Sequence, residues 1–164
     1  MLRQLSAAVL LLAFAVLESG YAVADKPSSR FCKPQDLVGT WRVVKWTSDF
    51  QFKDPNAPYL LPHQLFQFSS DGSMKSAHSA KAFAEDPKKL FQTMPAVVTY
   101  SFNQEGMITI QAKDSAGASE TWHCVSMTRD RSDDQQKAFL KKGDIVMTLV
   151  GKNGQPLYAR QMRK

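Results

Sequence analysis

The chain has 164 residues, of which 43% are hydrophobic, and a formal net charge of +6. That length holds one domain with one core. Its bases are scattered, as in Lys88-Lys89, Lys141-Lys142, Arg160 and Arg163-Lys164. This argues against nucleic-acid binding, which needs a dense basic stripe interleaved with aromatics, and for a solvated basic surface with at most weak attraction to anionic envelope surfaces.

Residues 1–24 read as a signal peptide. Arg3 is the only charge before an apolar run from Leu5 to Leu17, and Ala22-Val23-Ala24 forms a small-x-small cleavage signal before Asp25. A run of about 13 residues is short for a bilayer span; an uncleaved N-terminal anchor is the alternative. The first cysteine, Cys32, lies well beyond the run, which excludes a lipoprotein signal. Cleavage removes one base (Arg3) and one acid (Glu18), so residues 25–164 keep the charge of +6.

Residues 25–36 are expected to form an N-terminal extension and residues 37–164 the folded domain. The two cysteines of this secreted chain, Cys32 and Cys124, are expected to pair, pinning the extension to the domain wall. The long loop so closed implies roughly 4 kcal/mol of stabilisation. Two buried free thiols are the alternative. No Cys-x-x-Cys spacing points to a metal.

Most of the remaining chain has the β-branched and aromatic content of strands. Leu37 to Phe50 reads as a strand, and Asp54 to Pro62, with three prolines and Asn56, as an irregular loop. His63–Ser69 and Ser73–Ser79 flank Asp71-Gly72, a two-residue hairpin signal. From Ala80 to Met94 the period becomes helical, through Phe83, Leu90, Phe91 and Met94; Pro87 is expected to split this insert into two short turns. Strands are then expected at Val97–Asn103, Met107–Lys113 and Ser119–Arg129, followed by a polar loop at Asp130–Gln136. Ile145–Val150 and Leu157–Met162 flank a second hairpin signal, Asn153-Gly154. About eight strands on short turns indicate an all-β fold, a single antiparallel up-and-down barrel with a short helical insert. Closure spares apolar edges such as Ile145–Val150.

Leu37-Val38-Gly39-Thr40-Trp41 and the closing hairpin from Gly143-Asp144-Ile145-Val146 to Leu157-Tyr158-Ala159-Arg160-Gln161-Met162-Arg163 resemble the lipocalin-like proteins of the calycin superfamily, of the small secreted bacterial kind. The Thr-Asp-x-x-Tyr turn motif of the classical members is absent. The resemblance implies a structural plug at the closed end. Gly39 would make the tight entry where a Cβ collides, Trp41 would fill the floor, and a late arginine, Arg160 in preference to Arg163, would pack over the indole.

Above that plug, alternate residues of each strand face inward. The expected ligand-lining residues are Val43, Phe66, Phe68, Met74, Tyr100, Phe102, Trp122 and Met147, with His78 or Tyr100 offering a hydrogen bond to a polar end. The helical insert and the proline loop are the expected lids. No catalytic constellation emerges. His123 neighbours Cys124 but points to the opposite sheet face, and His78, Met74 and His123 make only a weak case for a metal or haem. The sequence reading is therefore non-enzymatic carriage of a small apolar or amphipathic molecule, without cofactor, in the periplasm or outside the cell. The alternative is a protein-interaction module, such as a protease inhibitor or envelope assembly factor, with a filled barrel and a partner engaged by Asp25–Phe31 or Asp54–Pro62.

Overall fold

The computed structural model describes residues 27–48, 51–52, 54–104, 106–113, 119–133 and 138–164. The expected signal peptide, residues 1–24, lies outside them. The chain order is β1 (Ser29–Phe31), α1 (Pro34–Leu37), β2 (Gly39–Ser48), a 3-10 turn (Pro58–Leu60), β3 (His63–Phe68), β4 (Ser73–Ser79), α2 (Pro87–Thr93), β5 (Val98–Gln104), β6 (Met107–Ala112), β7 (Ser119–Met127), β8 (Arg131–Asp133), β9 (Ala138–Leu140), β10 (Ile145–Val150) and β11 (Pro156–Arg163).

Eight of these strands close on themselves. Going round the barrel the order is β2, β3, β4, β5, β6, β7, β10 and β11, all antiparallel, and β11 returns to pair with β2. Every expected strand is present, and each lies beside its neighbour in sequence. Alternation then sorts the side chains. Trp41 and Val43, Phe66 and Phe68, Tyr100, Ile108 and Ile110, Trp122 and Cys124, Ile145 and Met147, and Tyr158 and Met162 meet in one interior core.

Both hairpin signals yield three-residue loops rather than two. Ser69 faces Ser73 and Gly151 faces Gln155 through backbone hydrogen bonds of 2.9 and 2.8 Å. In each loop the last residue is glycine at positive φ, +81° at Gly72 and +80° at Gly154. The preceding Asp71 or Asn153 accepts from the amide two residues on. A type I turn ended by a left-handed residue explains why the Asp-Gly and Asn-Gly signals serve a longer loop here.

The extension carries two elements that were not expected: β1 adds to β7, with Phe31 opposite Val125, and α1 takes Leu37, the first residue of the expected first strand. Two expectations are corrected. Part of the expected polar loop is strand, because β8 and β9 form a separate hairpin with Arg131 opposite Leu140. The insert is one helix, not two turns. Pro87 takes its first position, where the missing amide costs nothing, and the Asp86 carboxylate accepts from the Lys88 amide at 2.8 Å.

A disulfide joins Cys32 to Cys124 across 92 residues, as expected. It ties the β1–α1 segment to the barrel wall and indicates a non-cytoplasmic, oxidising compartment. Among the described residues no helix is long and apolar enough to cross a membrane.

Candidate functional site: a half-filled barrel

The barrel interior divides in two along its axis. At the closed end Trp41 is buried and its indole Nε1 donates to the Leu37 carbonyl at 2.6 Å. Gly39 has φ +130°, and a Cβ there would approach Lys164 Cε to 3.2 Å. The tight entry is real, but the group it makes room for is the lysine stem. The cation over the indole is likewise Lys164, with Nζ 4.8 Å from the ring centroid. This corrects the assignment to Arg160, which lies two residues nearer the open end than Met162. Its guanidinium sits between Phe66 and Trp122, 3.9 and 4.2 Å from their ring centroids. Arg163 points outward, and its Nε and Nη2 bond Asp144 at 2.7 and 2.6 Å.

Above the plug, four expected lining residues, Val43, Phe68, Tyr100 and Met147, are buried in the packed floor. Phe102 is partly buried against that floor and lines a separate groove beside Phe31 and Cys32. Tyr100 is no ligand donor, because its hydroxyl already donates to the Ser69 carbonyl at 2.8 Å near the β3–β4 turn. Phe66, Met74, His78 and Trp122 do line a cavity, as expected.

That cavity has a volume of about 360 Å³ in the open half of the barrel. Its walls also include Ser76, Val98, Ile110, Ala112, Ser119, Glu120 and Arg160, and Pro58 and Tyr59 from the proline loop reach over it. The expectation of a lid is met by this loop. It is not met by α2, which lies on the outer wall. Phe91 is buried there against Leu65 and Ala77, whose parity turns them away from the interior, and Lys75 Nζ donates to the Phe91 carbonyl at 2.6 Å. The apolar spacing of the insert serves this second, outer core.

The polar groups of the cavity form a connected rim. The Tyr59 hydroxyl donates to Glu120 Oε1, and Trp122 Nε1 donates to Glu120 Oε2 at 2.9 Å. Tyr59 stacks on Trp122 at 6.3 Å and meets Tyr158 edge-on at 5.4 Å. Burial and then the Glu120 charge push the Tyr59 phenol well above its ordinary range. His78 meets Phe66 edge-on at 5.4 Å; burial and then the Arg160 charge push its imidazole down to about 4, so it is neutral near pH 7. Arg160 is pushed down to about 10 by burial, with Tyr158, Tyr59 and Glu120 opposing the shift, and remains a cation.

Residue parity brought Met74 and His78 to one wall. His123, the third member of the weak metal case, is on the outside, edge-on to Phe31 at 5.1 Å. Among the described residues no three His, Cys, Asp or Glu side chains are grouped to hold a metal. The sulfur of Cys124 is taken by the disulfide. Tyr59 and Glu120 were not among the expected site residues. Their signal was present in the sequence only as a lone tyrosine in a proline-rich loop and a lone acid beside a strand tryptophan.

No protein-family model matches the chain, and no curated protein or solved structure is significantly similar to it.

Proposed function

We propose that the chain is a secreted, lipocalin-like binding protein of the periplasm or extracellular space, which carries a small apolar or amphipathic molecule without chemistry. The observation that carries this reading is the cavity of about 360 Å³, walled by aromatic and aliphatic side chains and edged by a few convergent polar groups. A concave, mostly apolar site with sparse polar contacts is the usual form of a small-molecule site. An eight-stranded barrel is wide enough for one small ligand when its interior is not filled. The disulfide and the moderately basic, scattered surface suit the envelope environment.

The packed floor favours the second reading, a protein-interaction barrel. Against it, Ser29–Phe31 is engaged with β7 and Pro58–Tyr59 lines the cavity, so the described part of each segment that a partner was expected to grip is at least partly held within the fold. Native mass spectrometry of the protein purified gently from its own envelope separates the two. The expected result is a discrete extra mass of a few hundred daltons or less, lost on denaturation. A bare chain mass, with a co-purifying protein in its place, overturns carriage.

A further inference from the structure

Arg160 is the anomaly of this cavity. It is 2% exposed, and among the described residues its guanidinium has neither an ion pair nor a hydrogen bond beyond a 4.0 Å contact from Nη2 to the Met147 sulfur. Its Nε is buried with no acceptor. Taking a guanidinium out of water without pairing it is costly, and a purely structural barrel has no need of one at mid-height. Glu120, the acid among the described lining residues, has its two oxygens occupied by Tyr59 and Trp122. It tempers the local potential but does not take the arginine's donors.

The geometry around the cation is selective. Phe66 and Trp122 lie against the guanidinium at 3.9 and 4.2 Å, so the groups left for a ligand are the in-plane N–H donors. A planar carboxylate is the anion that matches such an edge, through two parallel N–H···O bonds. A phosphate dianion would call for further cations, and Arg160 is the one cation lining this cavity among the described residues. Beside Arg160 one wall of the cavity is apolar, with Met74 of β4 opposite Val98 of β5, Val98 opposite Ala112 of β6, and Ile110 next to them.

Resting on the carrier reading, we propose that the cavity takes a carboxylate-headed amphiphile, its head on the Arg160 guanidinium and its hydrocarbon along the apolar β4–β5–β6 wall. At about 30 Å³ per water-sized group, the cavity of about 360 Å³ accepts roughly a dozen non-hydrogen atoms, the size of decanoate. The bound carboxylate supplies the acceptors that the arginine lacks. The Tyr59–Glu120–Trp122 chain keeps Glu120, the only acid lining the cavity among the described residues, off the head-group position.

The test compares sodium decanoate with 1-decanol by isothermal titration calorimetry near pH 7.5, on the delipidated wild-type protein and on Arg160→Met. The alcohol offers almost the same hydrocarbon without the charge. Decanoate is expected to bind the wild type at least about tenfold more tightly than decanol, as charge-assisted hydrogen bonds to a buried cation require, and Arg160→Met is expected to abolish that preference. Equal affinity of the wild type for the two overturns the head-group assignment and leaves carriage standing. Binding of neither overturns both. The wild-type comparison decides the matter even if the variant does not fold.

Discussion

His78 shows how one residue sets a pH dependence. Its imidazole titrates near 6.5 in the unfolded chain and at about 4 in the barrel, because burial and the facing Arg160 charge both disfavour the imidazolium. Between those values the unfolded chain binds the extra proton, so acid favours unfolding. The contribution is complete above pH 6.5 and is lost as pH falls toward 4. The full shift corresponds to about 3 kcal/mol; part of the ring is solvated at the cavity wall, which reduces this to about 1–2 kcal/mol. Asp36 and Asp144, both held below the ordinary carboxylate range, titrate under that window. Urea unfolding between pH 7.5 and 4.0 should show the wild type losing about 1–2 kcal/mol more than His78→Asn, and parallel profiles would reject the assignment. The position of His78 was legible because strand parity fixes a face. The partner of Arg160 was not, because parity says that the arginine points inward but not which ring it meets. That depends on how far β11 slides along β2, and the pairing slips between Gln161 and Met162.

At the scale of elements, the outer wall is organised by a buried acid. Asp144 is 1% exposed and accepts from Arg163 twice, from Gln161 Nε2 at 2.7 Å and from the Lys141 amide at 2.9 Å. Burial alone would raise its pKa, but Arg163, Lys141 and Gln161 together hold it low. Gln161 also donates to the Phe139 carbonyl at 2.9 Å, so one carboxylate links β11, the start of β10 and the β8–β9 hairpin. Asp144→Ala strands the Lys141 amide and leaves Arg163 to rehydrate from its partly exposed position. The expected loss is about 2–3 kcal/mol in chemical denaturation, with faster amide exchange at Ala138–Leu140. A loss under about 0.5 kcal/mol, or unchanged exchange there, would show that the hairpin is held otherwise. The barrel strands were legible because runs of six to ten residues, several with apolar side chains at alternate positions, carry the period of a strand. β1, β8 and β9 were not, because three-residue strands carry too few positions for a period and exist by pairing with what is already formed. The outer seat of α2 was equally hidden: helical spacing announces an apolar face, while Leu65 and Ala77, the residues it covers, read as ordinary outward positions of β3 and β4.

For the whole molecule, the decisive question is how a barrel with a hollow upper half stays closed. The cavity removes packing from the open half, so the closed half and the covalent tie carry a larger share of the stability. The Cys32–Cys124 bond does this by joining β1 and α1, which precede the barrel, to β7 in its wall. Its neighbours fit closely: the Cys32 amide donates to the Cys124 carbonyl at 3.0 Å, and the Cys124 amide to the Gly106 carbonyl at 2.7 Å. This pairing could be read from the cysteine number and the expected signal peptide, since the two cysteines can form only one pair. The volume of the cavity could not, because it depends on Tyr59 arriving from a distant loop and on Arg160 standing at mid-height. Closing a loop of 92 residues restricts the unfolded chain by about 4 kcal/mol. For a domain of this size that corresponds to a fall in Tm on the order of 10–20 °C when the bond is removed. Calorimetry of the native protein, the reduced protein and Cys32→Ser/Cys124→Ser should show the latter two melting together and well below the first. If the double variant keeps the native Tm, the tie contributes nothing and the packed floor alone closes the barrel. If it keeps its fold but loses its ligand, the bond acts through the shape of the cavity, since Trp122, which lines it, stands two residues from Cys124 on the same face of β7.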